Sequence, residues 1–329
     1  MDWIQILVAG VLATVGPVTA GYALSAIGLN LQFGYAGLLN FGHVAFMLMG
    51  GYGTAMTVEF GGPLWLGVLV GIAAAALFGL LIGIPTLRLR ADYFAITSIA
   101  AAEVLRLVVR SSWAEPLTGG VFGIQGFAGD FHGLNPFPAG LYGLGPFVVT
   151  GRALWVIVAG WVLVLLATLF VARIMRSPWG RVLKAIREDE DATRSLGKNV
   201  FAYKLQALMI GGGIASLAGI LFAVEQQSIY PASFEPRITF IVFVMVILGG
   251  AGTIWGAVLG AAVFNFLFFG IDALMARLQA NVDWIGAILS PAEAGLIKYV
   301  FVGIALILLI VFRAQGLLRG RDEGLGDAT

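Results

Sequence analysis

A histidine and an asparagine are the residues best placed for chemistry inside an otherwise apolar part of this chain. Residues 3–58 contain no Asp, Glu, Lys or Arg, and Asn40 precedes His43 by three positions. Polar side chains at membrane depth either line a water-filled path for a polar substrate or hydrogen-bond to a neighbouring helix. Both interpretations of Asn40 and His43 remain open. Tyr52 is the third candidate for lining such a path.

Catalytic and nucleotide-binding chemistry finds no support in the sequence. No zinc-protease H-E-x-x-H, no G-x-S-x-G and no phosphate-cradling G-x-x-x-x-G-K-[ST] occurs, and there is no cysteine. We therefore expect no catalytic residues, no metal site and no cofactor bound by this chain. If ATP drives the protein, another subunit must bind and hydrolyse the ATP.

The densest charge lies in residues 176–204, between two long uncharged runs. This segment carries seven Lys or Arg and four acidic residues, which is eleven of the 37 charged residues within 29 positions. Pro178 suits the start of a helix, and the acids at 188–191 suit a helix N-terminus. We predict one or two helices there, in a loop that meets something outside the membrane.

Composition fixes the class of protein. The chain of 329 residues is 60% hydrophobic and 11% charged, with a mean hydropathy of +0.96, whereas soluble domains carry about 25% charge. A crossing helix needs about 20 apolar residues. The sequence therefore predicts an all-α polytopic integral membrane protein.

The predicted spans number about nine, with eight or ten as open alternatives. Two crossings fit residues 3–58, with a break at 30–37, and the others fit 64–84, 93–109, 153–175, 205–224, 237–249, 253–276 and 293–312. Nine spans with the N-terminus outside and the C-terminus cytoplasmic place thirteen Lys and Arg inside and six outside. This asymmetry agrees with the positive-inside rule.

On this topology residues 111–151 form a large extracytoplasmic loop. The loop is rich in Gly and Pro, so we predict a structured connector with short interfacial helices around 141–149, and either a partner-docking surface or a plain connector fits. Residues 176–204 form the cytoplasmic loop, and the whole of 1–329 forms a single membrane domain. Glu103 and Arg106, three apart on one helix, are expected to form a structural ion pair.

Glycines at four-residue spacing predict close helix packing. They occur at Gly67 and Gly71, at Gly79 and Gly83, and in the row Gly252, Gly256, Gly260. The pattern G-G-x-G-T occurs at 50–54 and again at 249–253. The repetition could mark two related halves of a transporter, and coincidence explains it equally well.

Several separated segments together resemble one family. They read FGYAGLLNFGHVAF at 33–46, LRLRADYFAI at 87–96, LTGG at 117–120, SPWGR at 177–181, VILGGAGT at 246–253 and FRAQGL at 312–317. Asp191-Ala192-Thr193 followed by Gly197 resembles the E-A-A-x-x-x-G loop of bacterial ABC importer permeases. Together the segments resemble the M-type membrane permeases of branched-chain amino acid importers, with Ala314 where that family would have proline.

The resemblance implies a permease that forms half of a translocation pathway in the bacterial cell membrane. A second, homologous H-type permease would complete the pathway, two ABC ATPases would drive it, and an extracytoplasmic solute-binding protein would deliver the amino acid. The surrounding partner is membrane lipid, and no nucleic acid is implied. The residues expected to couple to the ATPases are Arg187, Glu188, Asp191, Ala192, Thr193 and Gly197.

Other functions remain open. A permease for urea or short amides has the same architecture, and uncharged polar residues such as Asn40 and His43 suit either substrate class. A stand-alone channel or secondary transporter is disfavoured, because no apolar run carries several buried carboxylates for ion coupling. A membrane-embedded enzyme lacks a catalytic constellation.

Overall fold

The computed structural model describes residues 3–88, 91–281, 300, 303, 304, 307 and 316–318, and most of this part of the chain is helical. The α-helices within it are α1 (Trp3–Val15), α2 (Pro17–Leu29), α3 (Val44–Glu59), α4 (Leu64–Thr86), α5 (Ala91–Arg110), α6 (Glu115–Thr118), α7 (Gly129–Gly133), α8 (Gly151–Met175), α9 (Pro178–Glu188), α10 (Glu190–Ser195), α11 (Val200–Gln226), α12 (Pro236–Gly249) and α13 (Gly256–Asn281). The short strands are β1 (Ile124–Gln125), β2 (Leu141–Leu144), β3 (Phe147–Thr150) and β4 (Ser228–Ile229).

Within the described residues, four helices are long and apolar enough to cross a membrane, namely α4, α8, α11 and the part of α13 from Gly256 to Leu278. The pair α1 and α2 adds a fifth if its bent halves form one span, and α12 is apolar but shorter. The chain is thus a polytopic helical membrane protein. The count of nine and the orientation stay predictions, and Ala314 and most of the span at 293–312 lie outside the described residues.

The first apolar run is broken twice. Pro17 begins α2 after Gly16, and the axes of the two helices differ by 47°; the sequence interpretation did not include this bend. The predicted break at 30–37 is confirmed, because α2 runs into a π-helical segment (Asn30–Tyr35) and residues 36–43 then form no regular helix before α3 begins. π-helical turns occur often at functional sites.

The core lies where α11 packs against α2, α3 and α4, and small residues permit the close approach. A Cβ on Gly219 would lie 1.8 Å from the Met47 carbonyl oxygen, and one on Gly71 would lie 2.5 Å from the Gly50 carbonyl oxygen. The prediction of glycine-mediated packing is confirmed for α4. It is wrong for Gly252, which lies in the turn between α12 and α13 with φ of +81° rather than on a helix face.

The segment 111–151 contains the helices α6 and α7 and a β-hairpin. The predicted interfacial helices around 141–149 are wrong, because β2 and β3 pair antiparallel there, with Leu144 opposite Phe147. Gly143 and Gly145 have positive φ, which suits a hairpin and disfavours a helix. β1 pairs with β4, so this segment is attached to the chain that follows α11.

Candidate functional site

The charged loop 176–204 folds into two short helices, as predicted. Ser177 and Pro178 begin α9, where proline costs no hydrogen bond. Asp189 ends α9 and caps α10, since its Oδ1 accepts a hydrogen bond of 2.9 Å from the Ala192 amide. The loop therefore has a sharp corner at Asp189 rather than one continuous helix.

Helix α9 is packed against the membrane bundle. Leu183 and Ile186 are buried on one face together with Gly180, which is the amphipathic pattern of a surface helix with one face inward. Trp179 Nε1 donates a hydrogen bond of 2.7 Å to Gln206 Oε1 on α11. Burial and this bond fix the orientation of α9.

Helix α10 is presented to solvent. Ala192 and Gly197 are exposed, the Asp191 side chain is 92% exposed, and Leu196 is 79% exposed. Thr193 is the buried member of α10, and its Oγ1 donates to the Asp189 carbonyl oxygen at 2.8 Å. The predicted end of the helix at Gly197 is confirmed, because α10 stops at Ser195 and Gly197 has the left-handed φ of +77°.

Ion pairs hold α10 beside α11. Glu190 pairs with Arg194 at 2.8 Å and with Lys204 on α11, and Arg194 also lies 3.3 Å from Asp191. Exposed pairs of this kind contribute up to about 1 kcal/mol each. Glu188 is exposed at the end of α9. The acids therefore fix the position of α10 without burying it.

Arg187 connects α9 to the interior of the bundle. Its Nη1 donates a hydrogen bond to the Gly34 carbonyl oxygen in the π-helical segment. A Cβ on Gly252 would lie 2.7 Å from Arg187 Nη1 and 2.9 Å from the Gly34 carbonyl oxygen, so the turn before α13 approaches the same point. Gly37, with φ of +69°, lies against the Arg187 side chain.

Asn30 completes this contact. Its Oδ1 accepts from the Gly252 amide at 2.8 Å, and its Nδ2 donates to the Thr253 carbonyl oxygen at 2.8 Å. Arg187, Gly34, Asn30, Gly252 and Thr253 are called here the Arg187 junction. It joins α9, the break after α2 and the turn between α12 and α13.

Residues 316–318, which come much later in the sequence, lie against the end of α12 beside this junction. The amides of Leu317 and Leu318 donate to the carbonyl oxygens of Leu248 and Gly249, at 2.9 and 3.1 Å. A Cβ on Gly316 would lie 2.6 Å from the Gly250 nitrogen. The last carbonyl groups of α12, which have no partner within the helix, are thereby satisfied.

Asn40 and His43 belong to a buried hydrogen-bond network around Gln32, and both side chains have no exposed surface. Gln32 Oε1 accepts from Asn40 Nδ2 at 2.9 Å and lies 3.1 Å from His43 Nδ1. Gln32 Nε2 donates to the Leu208 carbonyl oxygen on α11 at 3.0 Å, and His43 Nε2 contacts the Ser25 carbonyl oxygen at 3.0 Å. This arrangement matches the hydrogen-bonded alternative for His43.

The network satisfies the amides that the break at 36–43 leaves without helical partners. The Gly42 amide donates to Asn40 Oδ1 at 3.1 Å and lies 3.3 Å from Ser98 Oγ on α5, and the Val44 amide donates to Thr239 Oγ1 on α12 at 3.0 Å. Irregular backbone at membrane depth is tolerated where protein groups replace the missing helical bonds.

The structure therefore separates the predicted site residues into four groups. Arg187 lies in the junction, whereas Glu188, Asp191, Ala192, Thr193 and Gly197 lie at or near α10. Asn40 and His43 share the Gln32 network. Tyr52 lies further along α3, 2% exposed, with its hydroxyl unpartnered among the described residues.

Sequence reasoning did not identify Gln32, Asn30 or Thr239 as site residues. Asn30 and Gln32 were visible as amides that interrupt an apolar run. Thr239 gave no signal, because a threonine within an apolar helix is common and its partner is 195 residues away. The expected pair on α5 is confirmed, since Arg106 Nε donates to Glu103 Oε2 at 2.9 Å.

Comparison with known proteins places the chain in a family. The family model described as branched-chain amino acid transport system / permease component matches residues 11–311. The permease LivM of Salmonella typhimurium, a high-affinity branched-chain amino acid transport protein, is 32% identical over 76% of this chain and 61% of its own length. This chain therefore spans less than two thirds of that relative.

Two further relatives show the range of the similarity. A probable branched-chain amino acid transport permease LivM of Methanocaldococcus jannaschii is 25% identical over 90% of each chain. The autoinducer 2 import permease LsrC of Salmonella paratyphi B is 28% identical over 38% of this chain and 36% of its own. From the family match over most of its length, the chain belongs to the family of permease components of branched-chain amino acid transport systems.

Proposed function

We propose that the chain is the membrane permease subunit of an ATP-driven ABC importer for branched-chain amino acids. It forms half of the translocation pathway, and a homologous H-type permease forms the other half. Two ABC ATPases supply the energy, so this chain holds no ATP site of its own. An extracytoplasmic solute-binding protein delivers the substrate.

The observation that carries this proposal is the two-part construction of the loop 176–204. Helix α10 and the two residues after it expose Ala192, Leu196 and Gly197 to solvent, as a docking segment for an ATPase groove must. Helix α9 is attached to the bundle through buried side chains and Arg187. A force on α10 therefore reaches the membrane helices through a short, packed connection.

The Arg187 junction is the point at which that connection reaches the membrane helices. It contacts the break after α2 and the turn before α13, and the first of these is continuous with the Gln32 network. A shift of α9 relative to Gly34 would move elements that surround Asn40 and His43. We infer that ATPase closure acts on the pathway by this route, with Asn40, His43 and Tyr52 meeting the path only in another state of the importer.

The protein lies in the bacterial cell membrane with about nine spans, its N-terminus outside and its C-terminus cytoplasmic. The distribution of Lys and Arg supports this orientation, and two contacts agree with the loops 176–204 and 111–151 lying on opposite sides of the membrane. The π-helical segment, α9 and the turn before α13 meet at one end of the bundle. The loop 111–151 pairs instead with β4, which follows α11. The charged loop precedes α11, so the two loops lie at opposite ends of that helix.

Co-purification tests the proposal. The tagged chain is isolated in mild detergent with and without Ala192→Glu, and the accompanying chains are identified. We expect two P-loop ATPases and a second permease with the native protein, and loss of the ATPases from the variant. Recovery of the chain alone from both samples would instead favour a stand-alone channel or secondary transporter.

Uptake by the reconstituted complex tests the substrate. Proteoliposomes that contain the complex and its binding protein are supplied with labelled leucine, urea or acetamide, with and without ATP. We expect ATP-dependent accumulation of leucine. Accumulation of urea or acetamide alone would reassign the substrate and leave the ATP-driven mechanism in place.

A further inference from the structure

A cavity of about 630 Å³ lies between the end of α8 and the turn that precedes α13. Arg173, Arg176 and Ser177 line it from one side, and Ile254 and Trp255 line it from the other. It shares no residue with the Arg187 junction or the Gln32 network, although Ile254 directly follows Thr253 of the junction, and the proposed coupling route makes no use of it.

The cationic side of the cavity is built for an anion. Arg173 and the α8 C-cap residue Arg176 are three apart, so they lie on one face at the end of that helix. Both are exposed, and neither guanidinium makes an ion pair or hydrogen bond with the residues that the structure describes. Thr168 also lines the cavity, but its hydroxyl donates to the Val164 carbonyl oxygen at 2.7 Å, so the arginines are the donors available to an anion. Guanidinium groups bind phosphate oxygens through paired N–H donors.

The membrane side of the cavity is built for hydrocarbon. Leu169 contributes to the lining and is 52% exposed, and its neighbours Leu165, Leu166 and Phe170 are 48%, 56% and 50% exposed. This part of α8 thus presents apolar side chains next to the two arginines. A free phosphate ion would make no favourable contact with such a surface, whereas acyl chains would pack against it.

Trp255 marks the level of the interface between membrane and water. It is 50% exposed at the rim of the cavity, and tryptophan is enriched at the depth of lipid head groups. The cavity therefore combines two arginines, an exposed tryptophan and an apolar helix face, which are the features that a phospholipid's phosphate, interfacial region and acyl chains require.

We propose that this cavity binds the phosphate group of an anionic phospholipid, with Arg173 and Arg176 on the phosphate and the acyl chains along α8. Basic pockets between membrane helices bind anionic head groups in this way. The orientation in the proposed function puts this end of α8, which leads into the loop 176–204, in the cytoplasmic leaflet, and only that placement rests on the proposed function. The binding itself does not depend on ATPases or on transport.

Lipid binding to the purified full-length chain, without ATPases, tests the proposal. Short-chain phosphatidylglycerol, short-chain phosphatidylcholine and inorganic phosphate are titrated separately in detergent, and bound lipid is counted by native mass spectrometry. We expect phosphatidylglycerol to bind about thirtyfold more tightly than phosphatidylcholine, from two arginines at a membrane surface. The double variant Arg173→Gln with Arg176→Gln should lose this preference.

A charge-matched control separates the site from general attraction. Arg181→Gln with Lys198→Gln removes two exposed positive charges that do not line the cavity, and it should keep the preference. Equal loss in both double variants, or no preference in the native chain, overturns the proposal. Full displacement of phosphatidylglycerol by inorganic phosphate assigns the site to the free anion and overturns the lipid assignment.

The folding of each variant is measured in the same samples. The thermal unfolding midpoint in phosphatidylcholine should be equal in the native chain and in both double variants, because the four side chains are exposed. Phosphatidylglycerol should raise the midpoint of the native chain and of the control variant only. A rise of equal size in the Arg173 and Arg176 variant contradicts the proposal even if mass spectrometry is uninformative.

Discussion

Helices α9 and α10 follow each other directly in the chain, yet one is packed into the bundle and the other is presented to solvent. The difference lies in their residues. Helix α9 carries Leu183 and Ile186 on one face and buries both, whereas α10 has no comparable apolar face and leaves Leu196 exposed beyond its end. A loop built in this way attaches at one half and remains available to a partner at the other.

Charge follows the same division. Arg187 of α9 donates to a backbone carbonyl group inside the junction, while Arg194 of α10 pairs, among the described residues, with acids on its own exposed helix. A charged donor in a partly buried contact contributes about 1.5–3 kcal/mol, against about 1 kcal/mol or less for exposed pairs. Two arginines seven residues apart are thus expected to differ in importance.

The largest effect on transport is expected from variants in the exposed part of the loop 176–204, at or next to α10. Ala192→Glu places an unpaired charge in the proposed ATPase contact, so uptake should fall roughly a hundredfold while membrane insertion is unchanged. Gly197→Asp should act similarly. Uptake of labelled leucine and the amount of protein in membranes measure both. Ala192→Ser is the control, and normal uptake in the Glu variant would contradict docking through α10.

A smaller loss of transport is expected from the attached half. Arg187→Ala removes the bond to Gly34, so uptake should fall about tenfold while the ATPases still co-purify. Arg187→Lys should recover part of the loss, because an ammonium group can also donate to a carbonyl oxygen. Arg194→Ala is the matched control with little expected effect. Equal effects of the Arg187 and Arg194 variants would remove the distinction between the halves.

Stability of the junction gives a third test. Gly252→Ala and Gly61→Ala both force alanine into left-handed backbone, at φ of +81° and +82°. Only Gly252 would also place its Cβ near a backbone atom, the Gly34 carbonyl oxygen at 2.9 Å, because nothing lies within 4 Å at Gly61. We expect Gly252→Ala to lower the free energy of unfolding by about 1–3 kcal/mol more. Equal unfolding midpoints of the two variants would show that the junction accommodates the added Cβ at no cost in stability.

The cap of α10 has a more local effect. Asp189→Ala removes the acceptor for the Ala192 amide, which should cost about 1 kcal/mol and loosen α10 without loosening α9. Hydrogen exchange at α10 should quicken, while exchange at Leu183 and Ile186 stays slow. Asp189→Asn should retain most of the protection. Faster exchange throughout both helices would mean that they form one cooperative unit.

The smallest effect is expected at the other end of the molecule. His132, in the loop 111–151, contacts the Val224 carbonyl oxygen at 3.2 Å, and burial together with the nearby Arg152 lowers the pKa of His132 although that contact opposes the shift. The folded state therefore prefers the neutral ring. Stability from this group is full above the ordinary pKa of about 6.5 and falls as the pH drops below it. Unfolding midpoints from pH 7.5 to 5 should fall less in His132→Gln.

Much of the helical framework follows from the sequence, because length and hydrophobicity alone determine which segments can cross a bilayer. The predicted spans at 64–84 and 153–175 differ from α4 and α8 by only two residues at an end. The pair Glu103 and Arg106 was equally predictable, since both partners lie on one helix. These are local properties, and a single sequence displays local properties well.

What the sequence did not reveal depends on contacts between distant segments. Gly252 fits a four-residue glycine row, yet it lies in a turn because Asn30, more than two hundred positions away, binds its amide. Arg187 stood among seven basic residues with no sign that one of them alone reaches Gly34. The hairpin at 141–150 was missed because its apolar residues suit an interfacial helix equally well, and two positive-φ glycines decide the matter.

The contact of residues 316–318 with the end of α12 has a consequence for biosynthesis. Helix α12 and the turn that follows it leave the ribosome long before Leu317, which is 68 positions later than Gly249. Until then, the Leu248 and Gly249 carbonyl groups lack the partners that they have in the finished protein. The end of α12 beside Arg187 is thus completed late in synthesis, and a chain arrested before Gly316 would expose an unfinished surface that quality-control proteases can recognise.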